Sequence, residues 1–257
     1  MKLPKLAHTI VAALVIGGVF VAIGATGRWD ELVTQPVTRV HDSFDADAQR
    51  RHAAETETAR PSTRPSTDAA TRTAAADALT ALNDVDVAHT RRTPPYVRRD
   101  FGSAWTDVDN NGCDTRNDIL RRDLTDIVSA PNGCIILRGH LHDPYTGREI
   151  PFTRGPDTSA QVQIDHVVPL SYAWKNGAWA WDDATRRRFA NDPINLVAAA
   201  EAPNREKSDS GPGEWMPADT AYRCEYSVRF VNVLRSYDLP ATDHDVAELR
   251  RTLEGCS

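Results

Sequence analysis

Gln161-Val162-Gln163-Ile164-Asp165-His166-Val167-Val168-Pro169-Leu170 decides how this chain folds. Polar and apolar residues alternate from Gln161 to His166, which predicts a half-buried strand. Asp165 and His166 are neighbours at its end, so their side chains should leave the strand in opposite directions. One can then hold a cation while the other faces a substrate. Downstream, Asn195-Leu196-Val197-Ala198-Ala199 reads as a second short strand, entered through Asp192-Pro193-Ile194. Pro203 then suits the first turn of a helix that carries Asn204, Arg205 and Lys207. Strand, strand and helix in that order make a ββα finger.

The residue types of such a finger suit attack on a phosphodiester. Hydrolysis there needs an activated water, neutralisation of charge building on the phosphate, and help for the leaving oxygen. A hard divalent cation held by only one or two protein oxygens keeps positions open for water and phosphate. Asp165 supplies one such oxygen and Asn204, on the helix across the strand, a second. The imidazole of His166 titrates near neutral pH and can take a proton from water. Asn195 can hydrogen-bond backbone or imidazole to order the loop. Lys207, one turn after Asn204, is expected to meet a phosphate. Arg116 is a further candidate, because a guanidinium matches phosphate oxygens, although a salt bridge with Asp118 or Asp123 would use it equally well.

Around the finger the periodicity predicts helices over 74–83, 114–128, 183–190, 222–237 and 243–253, with Ile119, Leu120, Leu124 and Ile127 along one side of the second. Cys134 to Leu137 reads as a strand. Asp143-Pro144-Tyr145-Thr146-Gly147 reads as a turn into a strand at 149–153. Asp107, Asp109, Asn111 and Gly112 begin like a calcium loop, but Cys113 interrupts it and Asp118 stands where a bidentate Glu is usual, so an Asx-rich turn before a helix is expected. Trp174, Trp179 and Trp181 form a cluster that reads as core packing rather than a base-stacking surface. Arg186-Arg187-Arg188 is read equally as a backbone-binding face and as a solvated one. His140 and His142 have no third ligand nearby.

The N-terminus differs in kind. Lys2 and Lys5 precede an apolar run from Ile10 to Ile23, the pattern of an export signal, and slightly short for a membrane span. Residues 1–26 are therefore expected to be a signal peptide or a signal anchor, with membrane attachment only if the anchor stays uncleaved. Residues 27–73, with the near-repeat Arg60-Pro61-Ser62-Thr63-Arg64-Pro65-Ser66-Thr67, read as a disordered linker. The formal charge of −6 argues against a protein that coats nucleic acid by bulk attraction, without excluding an enzyme that works on it. Four cysteines, none in a C-x-x-C pair, favour disulfides in an oxidising compartment over a zinc site. Three pairings are open. Cys113 with Cys134 and Cys224 with Cys256 are preferred, because each closes a modest loop.

These residues resemble the HNH endonuclease family, and the order D-H-x-x-P, N-L, N-R-x-K-S-D is similar to the nuclease domain of CRISPR effectors. The resemblance implies His166 as general base, Asp165 and Asn204 as metal ligands, and Asn195 as the middle asparagine that orders the loop. The stretch Trp105-Thr106-Asp107-Val108-Asp109-Asn110-Asn111-Gly112-Cys113-Asp114-Thr115-Arg116-Asn117-Asp118, the turn at 143–147 and the spacings from Trp215 to Cys224 resemble a group of secreted actinobacterial HNH-family proteins. The C-terminal nuclease domain of modification-dependent restriction enzymes is also similar. An export-signal pattern stands here in place of their nucleotide-hydrolysing partner domain, so a restriction role is not expected.

The expectation is thus an α+β nuclease domain over 74–257, a ββα-metal core with surrounding helices and a small antiparallel sheet. It is expected to act outside the cytoplasm as a monomer. One divalent ion, Mg2+ or alternatively Mn2+, would serve cleavage of nucleic acid, DNA before RNA, with little base specificity. A non-catalytic surface-binding module on the same scaffold, and a hydrolase of another phosphate-bearing polymer, are the alternatives.

Overall fold

In the computed structural model, residues 69–88 and 92–256 are described. The leader expected at 1–26 and the linker as far as residue 68 lie outside them. The finger forms around two antiparallel strands, β4 (Val162–His166) and β5 (Leu196–Ala200), with Asp165 opposite Val197 and His166 opposite Leu196. Every residue from Leu196 to Ala199 is buried, so β5 is apolar on both faces rather than alternating. Its two faces feed two cores. Leu196 and Ala198 join Val162 and Ile164 in one cluster, while Val197 and Ala199 join Val167 and Val168 in the other. A helix, α5 (Glu201–Lys207), follows β5 with no loop between.

The first cluster packs the finger against a second sheet. Its strands β1 (Leu124–Ser129), β2 (Ile136–His142) and β3 (Glu149–Thr153) run in sequence order and pair antiparallel. Preceding them, α2 (Thr115–Asp123) is capped by Asp114, whose carboxylate accepts from the Asn117 N–H. The helix expected over 114–128 thus ends five residues early. Leu124 and Ile127 fit a helical stripe, but Thr125, Ile127 and Val128 are β-branched, and pairing of Leu124 with Leu141 and Val128 with Arg138 outweighs local spacing. The β1 ladder is irregular between Thr125 and Val128, where Asp126 has φ of 49°.

The second cluster is helical. It is built from α1 (Ala69–Leu82), α3 (Leu170–Lys175), α4 (Asp183–Asn191), α6 (Arg223–Ser236) and α7 (Asp243–Glu254), with Leu82, Trp174, Phe189, Phe230 and Leu249 at its centre. Helix α1 begins five residues before the expected Ala74, inside the last part of the expected linker. Asp182 caps α4 by accepting from the Thr185 N–H. Trp174 is buried, and Trp181 packs edge-on against Phe189, so these indoles serve the core. Arg186 donates to the carbonyls of Asp100 and Trp181, which ties α4 to its neighbours. Disulfides join Cys113 to Cys134 and Cys224 to Cys256. The first staples the loop before α2 to the β1–β2 turn, and the second staples α6 to the end of α7. Helices and small antiparallel sheets together make an α+β domain.

Candidate active site

Strand β4 delivers Asp165 and His166 to the finger's end, and both are buried. The imidazole Nε2 lies 2.8 Å from the Ala190 carbonyl oxygen. A carbonyl can only accept, so Nε2 carries the proton and Nδ1 keeps its lone pair. Burial pulls the His166 pKa down to about 4, with the positive charges of Arg98 and Lys207 adding to the effect and the Ala190 carbonyl and Asp165 opposing it. The ring is therefore neutral at physiological pH, oriented, and equipped with one basic nitrogen.

Asn195 sits under the turn that follows His166. Its side chain accepts from the Val168 N–H at 2.8 Å and donates to the Val168 carbonyl at 3.2 Å, while its own carbonyl accepts from the Val167 N–H. It is fully buried, and of the two partners open to it in sequence the backbone is the one used. Its bonds order the loop.

Asp165 is held from two sides. Its Oδ2 accepts from the Tyr145 hydroxyl at 2.6 Å and lies 2.8 Å from the Lys207 ammonium. Oδ1 takes no hydrogen bond among the described residues. Burial and the Asp165 charge hold the Tyr145 phenol well above its ordinary range, so it stays a donor. Lys207 also donates to the His166 carbonyl at 2.8 Å and is fully buried. The expectation that Lys207 meets a phosphate is thereby corrected. Its ammonium is spent on the finger, held between the Asp165 carboxylate and the His166 carbonyl.

Asn204 donates its amide N–H to Gln163 Oε1 at 2.7 Å, and its amide oxygen takes no hydrogen bond among the described residues. Arg116 makes neither expected salt bridge; it donates to the backbone carbonyls of Val162 at 3.0 Å and Ser159 at 3.3 Å. Asp165, His166, Asn204 and Arg116 nevertheless line one pocket of about 470 Å³, together with Tyr96 and Arg98. Asp165 and His166 thus share a cavity although they alternate along β4. A larger cavity of about 530 Å³ beside Trp179 and Leu239 holds none of these residues, so volume alone does not mark the chemistry.

Whether this pocket suits a cation can be read from its donors. One free carboxylate oxygen and one free amide oxygen form a hard, sparse set that fits an ion keeping most of its waters, as Mg2+ does. Among the described residues no group of three or more His, Cys, Asp or Glu could hold an ion. At 107–118 the side chains of Asp107 and Asp109 accept from the backbone of Asn111 and Gly112, an Asx-rich turn ahead of α2. His140 and His142 face Asp126 and Glu149 at the surface.

Sequence reasoning missed Tyr145, Gln163, the Ala190 carbonyl and Arg98. Tyr145 was visible only as the centre of a turn. A backbone acceptor from α4 leaves no trace in residue identities.

Residues 114–252, more than half the chain, match the family model described as GmrSD restriction endonucleases, C-terminal domain. The chain belongs to this family. A protein of the fungus Arthroderma benhamiae, described as an uncharacterized secreted protein, is 38% identical over 160 residues, covering 62% of this chain and 74% of the relative. That relative is fungal, whereas the resemblance read from residues 105–118 pointed to actinobacterial proteins. No solved structure matches. The GmrSD C-terminal match spans the finger and every site residue described above from Arg116 to Lys207, and it assigns the domain to a nuclease family. No helix among the described residues is long and apolar enough to cross a membrane.

Proposed function

We propose that this GmrSD-type domain is a metal-dependent endonuclease of the HNH kind, acting outside the cytoplasm on nucleic acid, with DNA before RNA and little base preference. The observation that carries this reading is the bond from His166 Nε2–H to the Ala190 carbonyl, which fixes a neutral ring with Nδ1 as its only base. Nδ1 takes a proton from a water as that water's oxygen bonds to phosphorus. The P–O bond to the leaving sugar oxygen then breaks, and that oxygen is protonated from solvent. Asp165 Oδ1 and the Asn204 amide oxygen would hold one divalent cation, Mg2+ or Mn2+. When bound it supplies charge to the phosphate and the leaving oxygen. Tyr145 and Lys207 keep Asp165 aimed, and Asn195 holds the turn behind the base.

Export is supported by the secreted relative, by the two disulfides and by the charged and apolar pattern at 2–23. The domain plan that goes with this reading is a signal or anchor at 1–26, a linker ahead of α1, and a monomeric catalytic domain that begins with α1 at Ala69 rather than at Ala74. Purified protein should degrade plasmid DNA in Mg2+, lose activity in chelator and regain it on repletion. His166→Ala should lower the rate by about 10³-fold or more while the fold persists, because general base catalysis and water positioning are lost together. Undiminished degradation by that variant would remove the reading.

A further inference from the structure

We infer that Arg98 is a substrate-binding residue of this site, its guanidinium meeting the non-bridging oxygens of the phosphate being cut. The inference rests on the hydrolase reading and adds a residue that precedes the family match at 114–252. It follows from what the other nearby cations already do. Lys207 is spent on Asp165, Lys175 lies 2.6 Å from Asp209, Arg205 lies 3.2 Å from Glu201, and Arg116 donates to two backbone carbonyls. Arg98 is exposed, and among the described residues it has no carboxylate within ion-pair distance; the phenol of Tyr96 is its side-chain partner. It lines the pocket shared by Asp165 and Asn204 and also the small recess beside Ala190 and Gly102, and His166 lines both.

Its mounting is firm, and the Tyr96 phenol leaves the charge of its head unpaired by any carboxylate among the described residues. Arg98 opens a short 3-10 turn, Arg98–Phe101, whose Phe101 is buried 6.1 Å from the rings of both Trp174 and Phe189. Arg186 fastens the same turn by donating to the Asp100 carbonyl at 3.0 Å. A planar guanidinium on a fixed base can give two parallel N–H bonds to a phosphate, and it gains most where charge accumulates during the reaction.

Arg99 provides the control, being adjacent, exposed and equally charged but absent from both pockets. The full-length protein and its Arg98→Ala, Arg98→Lys and Arg99→Ala variants are assayed on a DNA oligonucleotide in saturating Mg2+. Arg98→Ala should lower kcat/KM by about 10²-fold to 10³-fold, chiefly in kcat, as loss of one charge-stabilising donor does. Arg98→Lys should recover part of the loss, and Arg99→Ala should stay within about threefold of wild type, because a lone surface charge contributes little. In a second arm, all carrying His166→Ala and held in chelator, Arg98→Ala should weaken binding of a fluorescent oligonucleotide by about tenfold, and Arg99→Ala should not. Equal effects of the two alanine variants in both arms would overturn the inference, since charge alone would then explain them. A wild-type protein that binds the oligonucleotide through Arg98 but never cuts it would overturn the hydrolase reading instead. Failure to bind at all overturns both.

Discussion

Two lysine–aspartate pairs lie within reach of the His166 pocket, one beneath it and one at its edge, and their surroundings are opposite. Beneath, Lys207 and Asp165 meet at 2.8 Å with side chains 0% and 8% exposed. At the edge, Lys175 and Asp209 meet at 2.6 Å with side chains 59% and 44% exposed. The shorter pair is expected to cost less when broken. In water an ion pair gains little over its hydrated parts, whereas inside the fold removing one member strands the other's charge away from water. The buried pair also carries more bonds: Tyr145 donates to Asp165, and Lys207 reaches the His166 carbonyl. It ties β4, α5 and the Tyr145 turn together at the point where the base and the proposed cation ligand sit. The exposed pair adds only the Ser171 hydroxyl, at 3.1 Å from Asp209.

The comparison breaks most directly at Lys207. Lys207→Met leaves a buried carboxylate with a single donor, and the loss of one partner of a buried pair costs about 3–5 kcal/mol. Urea unfolding in chelator should show this as a large fall in midpoint. Adding Asp165→Asn should return part of the loss, because the stranded charge is then gone. A fall no greater than that of a surface substitution would mean that the burial of this pair does not set its value.

The second expected effect belongs to His166. Its folded pKa is about 4 and its unfolded value about 6.5, so between those limits the unfolded chain binds a proton that the folded one does not. Stability from this group is complete above pH 6.5, declines as pH falls, and is lost by about pH 4. The slope is about 1.4 kcal/mol per pH unit, for a total near 3 kcal/mol. The test is metal-free denaturation at pH 7 and pH 4.5 for wild type and His166→Ala. The variant should lose less on acidification than wild type, and identical losses would contradict the buried, neutral ring.

These contrasts also show why the finger was readable and its wiring was not. Gln161–His166 announces a strand through its alternation and Leu196–Ala199 through a short continuous apolar run, and Asp182 announces a helix start through its cap. Leu124–Ser129 misleads because Ile119, Leu120, Leu124 and Ile127 satisfy a helical period that only pairing with β2 overrules. Lys207 misleads for a different reason. A lysine one turn beyond Asn204 looks solvent-directed, yet it is buried against Asp165, whose other donor, Tyr145, is 62 positions away in the chain and brought there by the β2–β3 turn. The Ala190 carbonyl that sets the His166 tautomer has no sequence signature at all. Residue identities report which groups are present, and the roles of Arg98 and Lys207 depend on which of two similar cations the packing has already neutralised.

The smallest effect is expected at the edge pair and sharpens the same contrast. Lys175→Met should change the unfolding free energy by less than about 1 kcal/mol, the ordinary worth of an exposed ion pair. Its trace should appear elsewhere. The hydrogen bond from Lys175 holds the Asp209 carboxyl below its usual range, with the Ser171 hydroxyl helping. Removing the ammonium should let that pKa rise toward the ordinary carboxylate value, which carboxyl NMR titration of the variant would record. Asp209 lines the His166 pocket, so its charge would then stand uncompensated at neutral pH beside the path of a polyanion. Oligonucleotide affinity should fall modestly and the fall should shrink as salt is raised, since exposed charges are screened over a Debye length of about 8 Å at physiological ionic strength. A loss that persists in high salt would place Lys175 in direct contact with substrate, and would give the edge of the pocket a second working cation beside Arg98.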